Sequence, residues 1–279
     1  MNVQTALGQG VRLLQDAAVG VPRLTAEVLL AQALHRDRIY LVAHSEHELS
    51  ELEWLHYGRY LHERMQGKPT QYITGRQEFY GREFRVTQDV LIPRPETEHV
   101  VETVLRLAPR AACILDVGTG SGILGVTLHL ETGAAAWATD ISPAALCVAA
   151  ENARRLQASV SWVACDLMSA VAGASMDLIV SNPPYVPLAD AAGLQREVRD
   201  WEPHQALFAG PTGLEIYQRL VSDAERVLRP GGWLIMELGF HTRDRVAAMF
   251  AGGWRDLETA PDLAGIPRVI AARFAGPRL

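Results

Sequence analysis

The stretch that most limits the fold is Ala112-Cys113-Ile114-Leu115-Asp116-Val117-Gly118-Thr119-Gly120-Ser121-Gly122. A short apolar run carries an acid near its end, passes into alternating glycines, and leads to the helical stretch Ile123 to Leu130. Glycine tolerates positive φ and lets a ligand approach the backbone. A helix start presents free N–H groups. Strand, glycine-rich turn and helix in this order open a nucleotide-binding α/β sheet. Gly118, Gly120 and Gly122 are spaced too closely for the dinucleotide fingerprint, and no phosphate-binding lysine follows. The pattern therefore argues against a dinucleotide site and against a P-loop.

Three more apolar runs end in polar residues. Ala135 to Asp140 is read as the second strand, and Asp140 stands where an acid accepts ribose hydroxyls. Val160 to Cys165 is the third strand, ending at Asp166. The fourth runs through Leu178-Ile179-Val180 into Asn182-Pro183-Pro184-Tyr185. Proline fixes its own φ and has no N–H, and it pushes the preceding residue out of the helical region. The turn is therefore stiff. The Asn182 amide oxygen and the Pro183 carbonyl are placed to accept both protons of one incoming NH2 group. Tyr185 offers a flat face to a planar partner. A lone acid after a strand is usually a cap, and a proline turn is common. The four features in this order are what point to a site, and all four strand ends should share one edge of a parallel sheet.

The remainder completes the sheet. Leu214 to Leu228 reads as a helix ended by Arg229-Pro230-Gly231-Gly232. Trp233 to Leu238 reads as a fifth strand, and Trp254 to Leu257 with Val269 to Phe274 as a closing antiparallel pair. Residues 190–213 show few regular signals, and a loop of that length is usually functional or mobile; it is a candidate lid for the site. Upstream, Gln77 to Val86 reads as a hairpin turning at Gly81. Leu91 to Glu98 is a stiff linker, with Thr97 or Glu96 opening the helix Glu98 to Leu107. Arg94 and Glu96 are candidates for shaping a substrate channel.

Residues 1 to 75 show helical spacing at Val3, Leu7, Val11 and Leu14, and at Val28, Leu29, Ala33 and Leu34. Ser50 with Glu53 fits a capping box opening Glu51 to Gln66, whose Leu52, Leu55 and Leu61 are expected on the apolar face. This segment carries seven Arg or Lys against eight Asp or Glu, and the whole chain has a net charge of −6. A nucleic-acid-binding protein usually shows a basic field, so a protein or small-molecule substrate is favoured. Three cysteines, Cys113, Cys147 and Cys165, form neither a disulfide framework nor a zinc pattern. No apolar run is long enough for a membrane span. A cytoplasmic, monomeric enzyme without metal is the expectation.

Together the glycine loop, Asp140, Asp166 and the tetrapeptide read as a site for S-adenosylmethionine. Asp116 to Gly122 with Asn182 to Tyr185 resembles the class I S-adenosylmethionine-dependent methyltransferases that modify nitrogen. Leu91 to Glu98, Trp201-Glu202-Pro203, Ala206-Leu207, Gly213-Leu214, Asp262 to Arg268 and Gln71-Tyr72-Ile73 with Gly75 narrow the resemblance to the HemK/PrmC family. The resemblance implies an α/β fold: a Rossmann-like, mostly parallel seven-stranded sheet with a small N-terminal helical domain. It divides the chain into a substrate-recognition domain at 1–75, a hairpin and linker at 76–98, and a catalytic domain at 99–279. It implies methyl transfer from S-adenosylmethionine, releasing S-adenosylhomocysteine, to the N5 amide of the glutamine in the Gly-Gly-Gln loop of class 1 peptide chain release factors. It places the cofactor on Asp116, Gly118, Thr119, Gly120, Ser121, Gly122, Asp140, Asp166, Leu167 and Asn182. The substrate falls on Asn182, Pro183, Pro184 and Tyr185, with Asn182, Pro183 and Tyr185 catalytic. The family often sets an aromatic residue after the third-strand acid, whereas this chain has Leu167. Two other readings of the same residues are methylation of an exocyclic base amine and a cofactor-binding scaffold without activity.

Overall fold

The computed structural model describes residues 1–276. The N-terminal unit comprises Met1–Arg76 together with Gln195–Trp201. Its helices are α1 (Val3–Asp16), α2 (Pro22–Ala33), α3 (Arg38–Ala43), α4 (Glu51–Met65) and α5 (Thr70–Thr74). The capping box is present: Glu53 N–H donates to Ser50 Oγ at 3.3 Å, and Ser50 N–H donates to Glu53 Oε2 at 2.7 Å. The apolar face of α4 is turned from the expected one. Tyr57 and Leu61 are buried in the helical core, whereas Leu52 and Leu55 are exposed. Tyr57 is fully buried on this face. Its hydroxyl end occupies the space that a Cβ at Gly10 of α1 would need. The fully buried ring gains apolar contact there, although its hydroxyl has no hydrogen-bond partner among the described residues.

The second unit comprises Gln77–Leu194 and Glu202–Leu279, of which the residues to 276 are described. Strands β1 (Arg76–Phe79) and β2 (Arg82–Arg85) pair as a hairpin. Tyr80 and Gly81 both have positive φ at its tip, the type I′ geometry that matches strand twist. Next come α6 (Glu98–Leu107), β3 (Cys113–Val117), α7 (Ile123–Thr132), β4 (Ala135–Asp140), α8 (Pro143–Arg155), β5 (Val160–Ala164) and β6 (Met176–Ser181). They are followed by β7 (Val186–Pro187), α10 (His204–Leu207), β8 (Phe208–Gly210), α11 (Glu215–Val227) and β9 (Leu228–Glu237), while α9 (Arg196–Trp201), between β7 and α10 in the chain, belongs to the N-terminal unit. Helix α12 (Arg243–Ala247) and strands β10 (Trp254–Pro261) and β11 (Pro267–Phe274) complete the described chain.

The main sheet has seven strands in the order β10-β11-β9-β6-β3-β4-β5. Only β11 runs against its neighbours, pairing antiparallel with both β9 and β10. Continuous apolar runs are expected of parallel strands covered on both faces. Ile114, Leu178 and Val180 point into the core under α6 and α7, whereas Leu115, Val117 and Ile179 meet Tyr217, Leu220 and Ala224 of α11. The chain builds outward from β3 through β4 to β5, then returns to β6 on the other side of β3. That reversal opens a crevice between the carboxyl ends of β3 and β6, where ligands bind in such sheets.

Two stretches differ from the sequence reading. Residues 190–213 are largely regular: a 3-10 turn at Leu188–Gly193, then α9, α10 and β8. Strand β9 starts at Leu228, opposite Met176, and resumes with Trp233 opposite Leu178. The Arg229-Pro230-Gly231-Gly232 segment, expected to end the preceding helix, thus lies within the strand as a bulge.

Candidate active site

The glycine loop and the strand ends enclose a cavity of about 340 Å3. Gly118, Gly120 and Gly122 all have positive φ, which a side chain would make costly. Gly118 and Thr119 N–H groups both donate to Thr139 O, at 2.9 and 3.0 Å, tying the loop to β4. Asp140 Oδ2 accepts from Gly120 N–H and its Oδ1 from Ser142 N–H, each at 2.9 Å. Its carboxylate is therefore held in place with lone pairs left for a ligand.

Asp116 lies beneath the loop, almost wholly buried. Its Oδ2 accepts from Thr119 Oγ1 at 2.6 Å and from Gly125 N–H at 2.9 Å. Among the described residues its Oδ1 is buried without a hydrogen-bond partner, and the residue lines the cavity. Burial raises this carboxyl to about 6; Asp140 adds to the rise and the two donors oppose it. An unpartnered buried acceptor of this kind is costly unless a donor arrives.

The cavity wall also includes Thr119, Ser121, Asp166, Leu167, Asn182 and Pro184. Asp166 is paired with Arg219 Nη2 at 2.7 Å, and both side chains are about half exposed. Leu167 has φ +48. Gly122, Pro183 and Tyr185 are not among the lining residues. Pro183 is buried, and the Tyr185 ring is packed so closely on Gly239 that a Cβ there would lie 2.8 Å from it. Burial pushes the Tyr185 phenol well above its ordinary range.

Sequence reasoning missed three participants. Thr97 stands at the start of α6 but makes no capping bond. Its hydroxyl instead donates to Glu237 Oε2 at 2.5 Å, and it accepts from Asn182 Nδ2 at 3.0 Å. Glu237 is buried at the end of β9. Burial raises its carboxyl to about 7; Glu96 adds to the rise, while the Thr97 hydroxyl, Arg268 and Arg94 oppose it. Glu202 is the third. Its buried carboxylate accepts from Arg94 Nη2 at 2.6 Å and from Ile92 N–H at 3.3 Å. It thereby holds the linker whose Leu91, Pro93 and Arg94 line the cavity. The Trp-Glu-Pro motif was a visible signal for Glu202; nothing in the sequence paired Thr97 with Glu237.

Comparison with known proteins gives these arrangements a context. Residues 5–75 match the family model described as the PrmC N-terminal domain, and residues 97–194 match the methyltransferase small domain. The chain is 46% identical over 277 residues to the release factor glutamine methyltransferase of Koribacter versatilis, covering 98% of this chain and 99% of that one. It is 44% identical to the protein of the same name from Moorella thermoacetica, with 98% of each chain covered. The Salmonella typhimurium protein of that name is 36% identical, covering 98% and 99%. Among solved structures, the catalytic domain of hMettl16 in complex with an RNA hairpin superposes with a TM-score of 0.55 at 16% identity, covering 86% of this chain and 88% of that one. A methyltransferase from Pyrococcus furiosus gives 0.51 at 18% identity, covering 71% and 91%. These two likenesses speak to fold.

Proposed function

The chain belongs to the release factor glutamine methyltransferase family, and from that membership we propose that it transfers a methyl group from S-adenosylmethionine to the side-chain amide nitrogen of a release-factor glutamine. The observation that carries the reading is the intact Asn-Pro-Pro-Tyr turn at the end of β6, across the sheet's switch point from the glycine loop. The residues present fit the cofactor. Backbone without side chains lines one wall, Asp140 is braced for hydroxyls, and the orphan Asp116 Oδ1 suits an ammonium. Asp166, Leu167 and Ser121 complete this binding set. When bound, the cofactor supplies an electrophilic methyl on a sulfonium.

A carboxamide nitrogen is a weak nucleophile because its lone pair is delocalised into the carbonyl. The chain's task is to align it and exclude water, which contributes roughly 7–11 kcal/mol in well-oriented cases. Asn182 Oδ1 and the Pro183 carbonyl accept the two amide protons. These acceptors also stabilise the positive charge that develops on nitrogen. Tyr185 packs on the amide plane from a ring anchored against Gly239. Pro184 lines the approach. After transfer the N-protonated amide is strongly acidic and gives its proton to solvent water as the product leaves the site, so no general base is required.

In this reading the partner is the Gly-Gly-Gln loop of a class 1 release factor, docked with help from the N-terminal helices, and a cytoplasmic monomer does the work. Among the described residues no helix is long and apolar enough to cross a membrane. The test offers labelled S-adenosylmethionine with a purified release factor, bulk DNA and bulk RNA as acceptors. Label in the release factor alone supports the reading; label in nucleic acid alone replaces it with base methylation.

A further inference from the structure

We infer that Thr97 and Glu237 are positioning residues: the chain Glu237–Thr97–Asn182 sets which end of the Asn182 amide faces the substrate. The inference rests on the reading of Asn182 as acceptor for the substrate amide, and adds what makes it an acceptor. An asparagine amide can be turned either way, and only its partners decide which end is the donor. A threonine hydroxyl has one proton and two lone pairs. Here the proton goes to Glu237 Oε2 at 2.5 Å. What remains toward Asn182 is a lone pair, so the nearer end of that amide must be the NH2, and Nδ2 lies 3.0 Å from the Thr97 hydroxyl. Oδ1 is thereby turned away from Thr97 and left to accept. Were the amide reversed, its NH2 would meet the substrate NH2 donor to donor.

The ionised state of Glu237 gives this chain its direction. Thr97 is fully buried and Glu237 is 2% exposed. Once ionised, above about pH 7, the Glu237 carboxylate accepts and never donates, so Thr97 is then confined to the donor role toward it. The charged and titratable groups around Glu237 are Glu96 and Arg94 from the linker, Arg268 from β11, and the phenols of Tyr185 and Tyr217. Burial, first, and Glu96 oppose its anion, while the Thr97 hydroxyl and the two arginines favour it. Three elements distant in sequence converge here: the start of α6, the end of β6 and the end of β9. That convergence is why the strand and helix patterns alone did not disclose it.

The chain contains three asparagines, Asn2, Asn152 and Asn182, so asparagine-selective 15N labelling yields three side-chain NH2 pairs. Asn152 donates to Arg85 O and Ser121 O and reports the fold near the glycine loop. The expected result has two parts. In Thr97→Val the Asn182 NH2 pair loses its exchange protection while the Asn152 pair is unchanged. In methyl transfer to a release factor, kcat falls by about tenfold to a hundredfold, with S-adenosylmethionine affinity near wild type. Thr97→Ser keeps the hydroxyl and returns both readouts close to wild type. Glu237→Gln, whose amide can donate or accept, lowers kcat with the Asn152 pair intact. Wild-type kcat in Thr97→Val, or an Asn182 pair indifferent to that change, overturns the inference. Wild-type kcat in Glu237→Gln removes Glu237 from it. A wild-type protein with a protected Asn182 pair but no transfer to a release factor brings down the functional reading instead, and the catalytic part of the inference with it.

Discussion

At the scale of single residues, acceptors and donors are sorted by their partners. Asn182 lies at the end of an apolar strand and could be read from sequence as an amide waiting for a ligand. Its direction could not, because Thr97 and Glu237 lie 85 and 140 positions apart from their respective partners, Asn182 and Thr97. Asp116 was legible as part of the glycine motif, yet its unpartnered Oδ1 is a fact of packing, not of spacing. Asn182→Ala should leave S-adenosylmethionine binding largely intact, since the loop, Asp116 and Asp140 are untouched. Turnover should drop by about a hundredfold or more, the usual cost of losing one preorganised electrostatic contact to a transition state. Titration calorimetry with cofactor, beside initial rates, separates the two. Unchanged turnover would remove Asn182 from the mechanism.

At the scale of elements, regular patterns carried well and irregular ones did not. Strands β3, β4, β5 and β6 were visible as apolar runs ending in polar residues, and the sheet brings those ends to one edge. The bulge in β9 was hidden because Pro-Gly-Gly signals a turn wherever it falls, and only pairing with β6 shows that the strand continues. Helix α9 was hidden for a related reason. It has a single turn and a half of charged sequence with no apolar stripe, and its Glu197 is fixed by Arg64 of the N-terminal unit at 2.6 Å. The Leu91–Glu98 linker was read as stiff because of its prolines. Glu202 adds a second cause, a buried carboxylate gripping Ile92 and Arg94. Glu202→Ala should therefore cost about 1–3 kcal/mol of stability, the penalty for leaving buried donors without an acceptor. Arg94 is about one-third exposed and can recover some solvation, which keeps the loss in that range. Denaturant unfolding of the two proteins measures it, and equal midpoints would show that the grip is not stabilising.

At the scale of the whole molecule, two buried carboxyls make stability depend on pH in an unusual direction. Burial raises Asp116 from 3.8 to about 6 and Glu237 from 4.5 to about 7. A folded chain that holds protons more tightly than the unfolded one loses stability as pH rises. Their contribution is thus fully present below the unfolded values and is lost as pH climbs through about 6 and about 7. The ligand-free protein should melt at a lower temperature at pH 8 than its Asp116→Asn variant predicts from the difference between them near pH 5. Matching pH slopes for the two proteins would show that Asp116 does not titrate in this window. The net charge of −6 and the near-neutral helical segment belong to the same scale. Neither offers the basic field that capturing a nucleic acid would need, and both leave a protein acceptor as the simpler partner.

The most direct test of that claim is to locate the transferred methyl by peptide mass spectrometry after reaction with a purified release factor. A second reaction uses the same factor with its Gly-Gly-Gln glutamine changed to alanine. The account predicts a single methyl on the glutamine side-chain amide of the unaltered factor, and none on the altered one. A methyl at another residue, or equal methylation of the two factors, would contradict it.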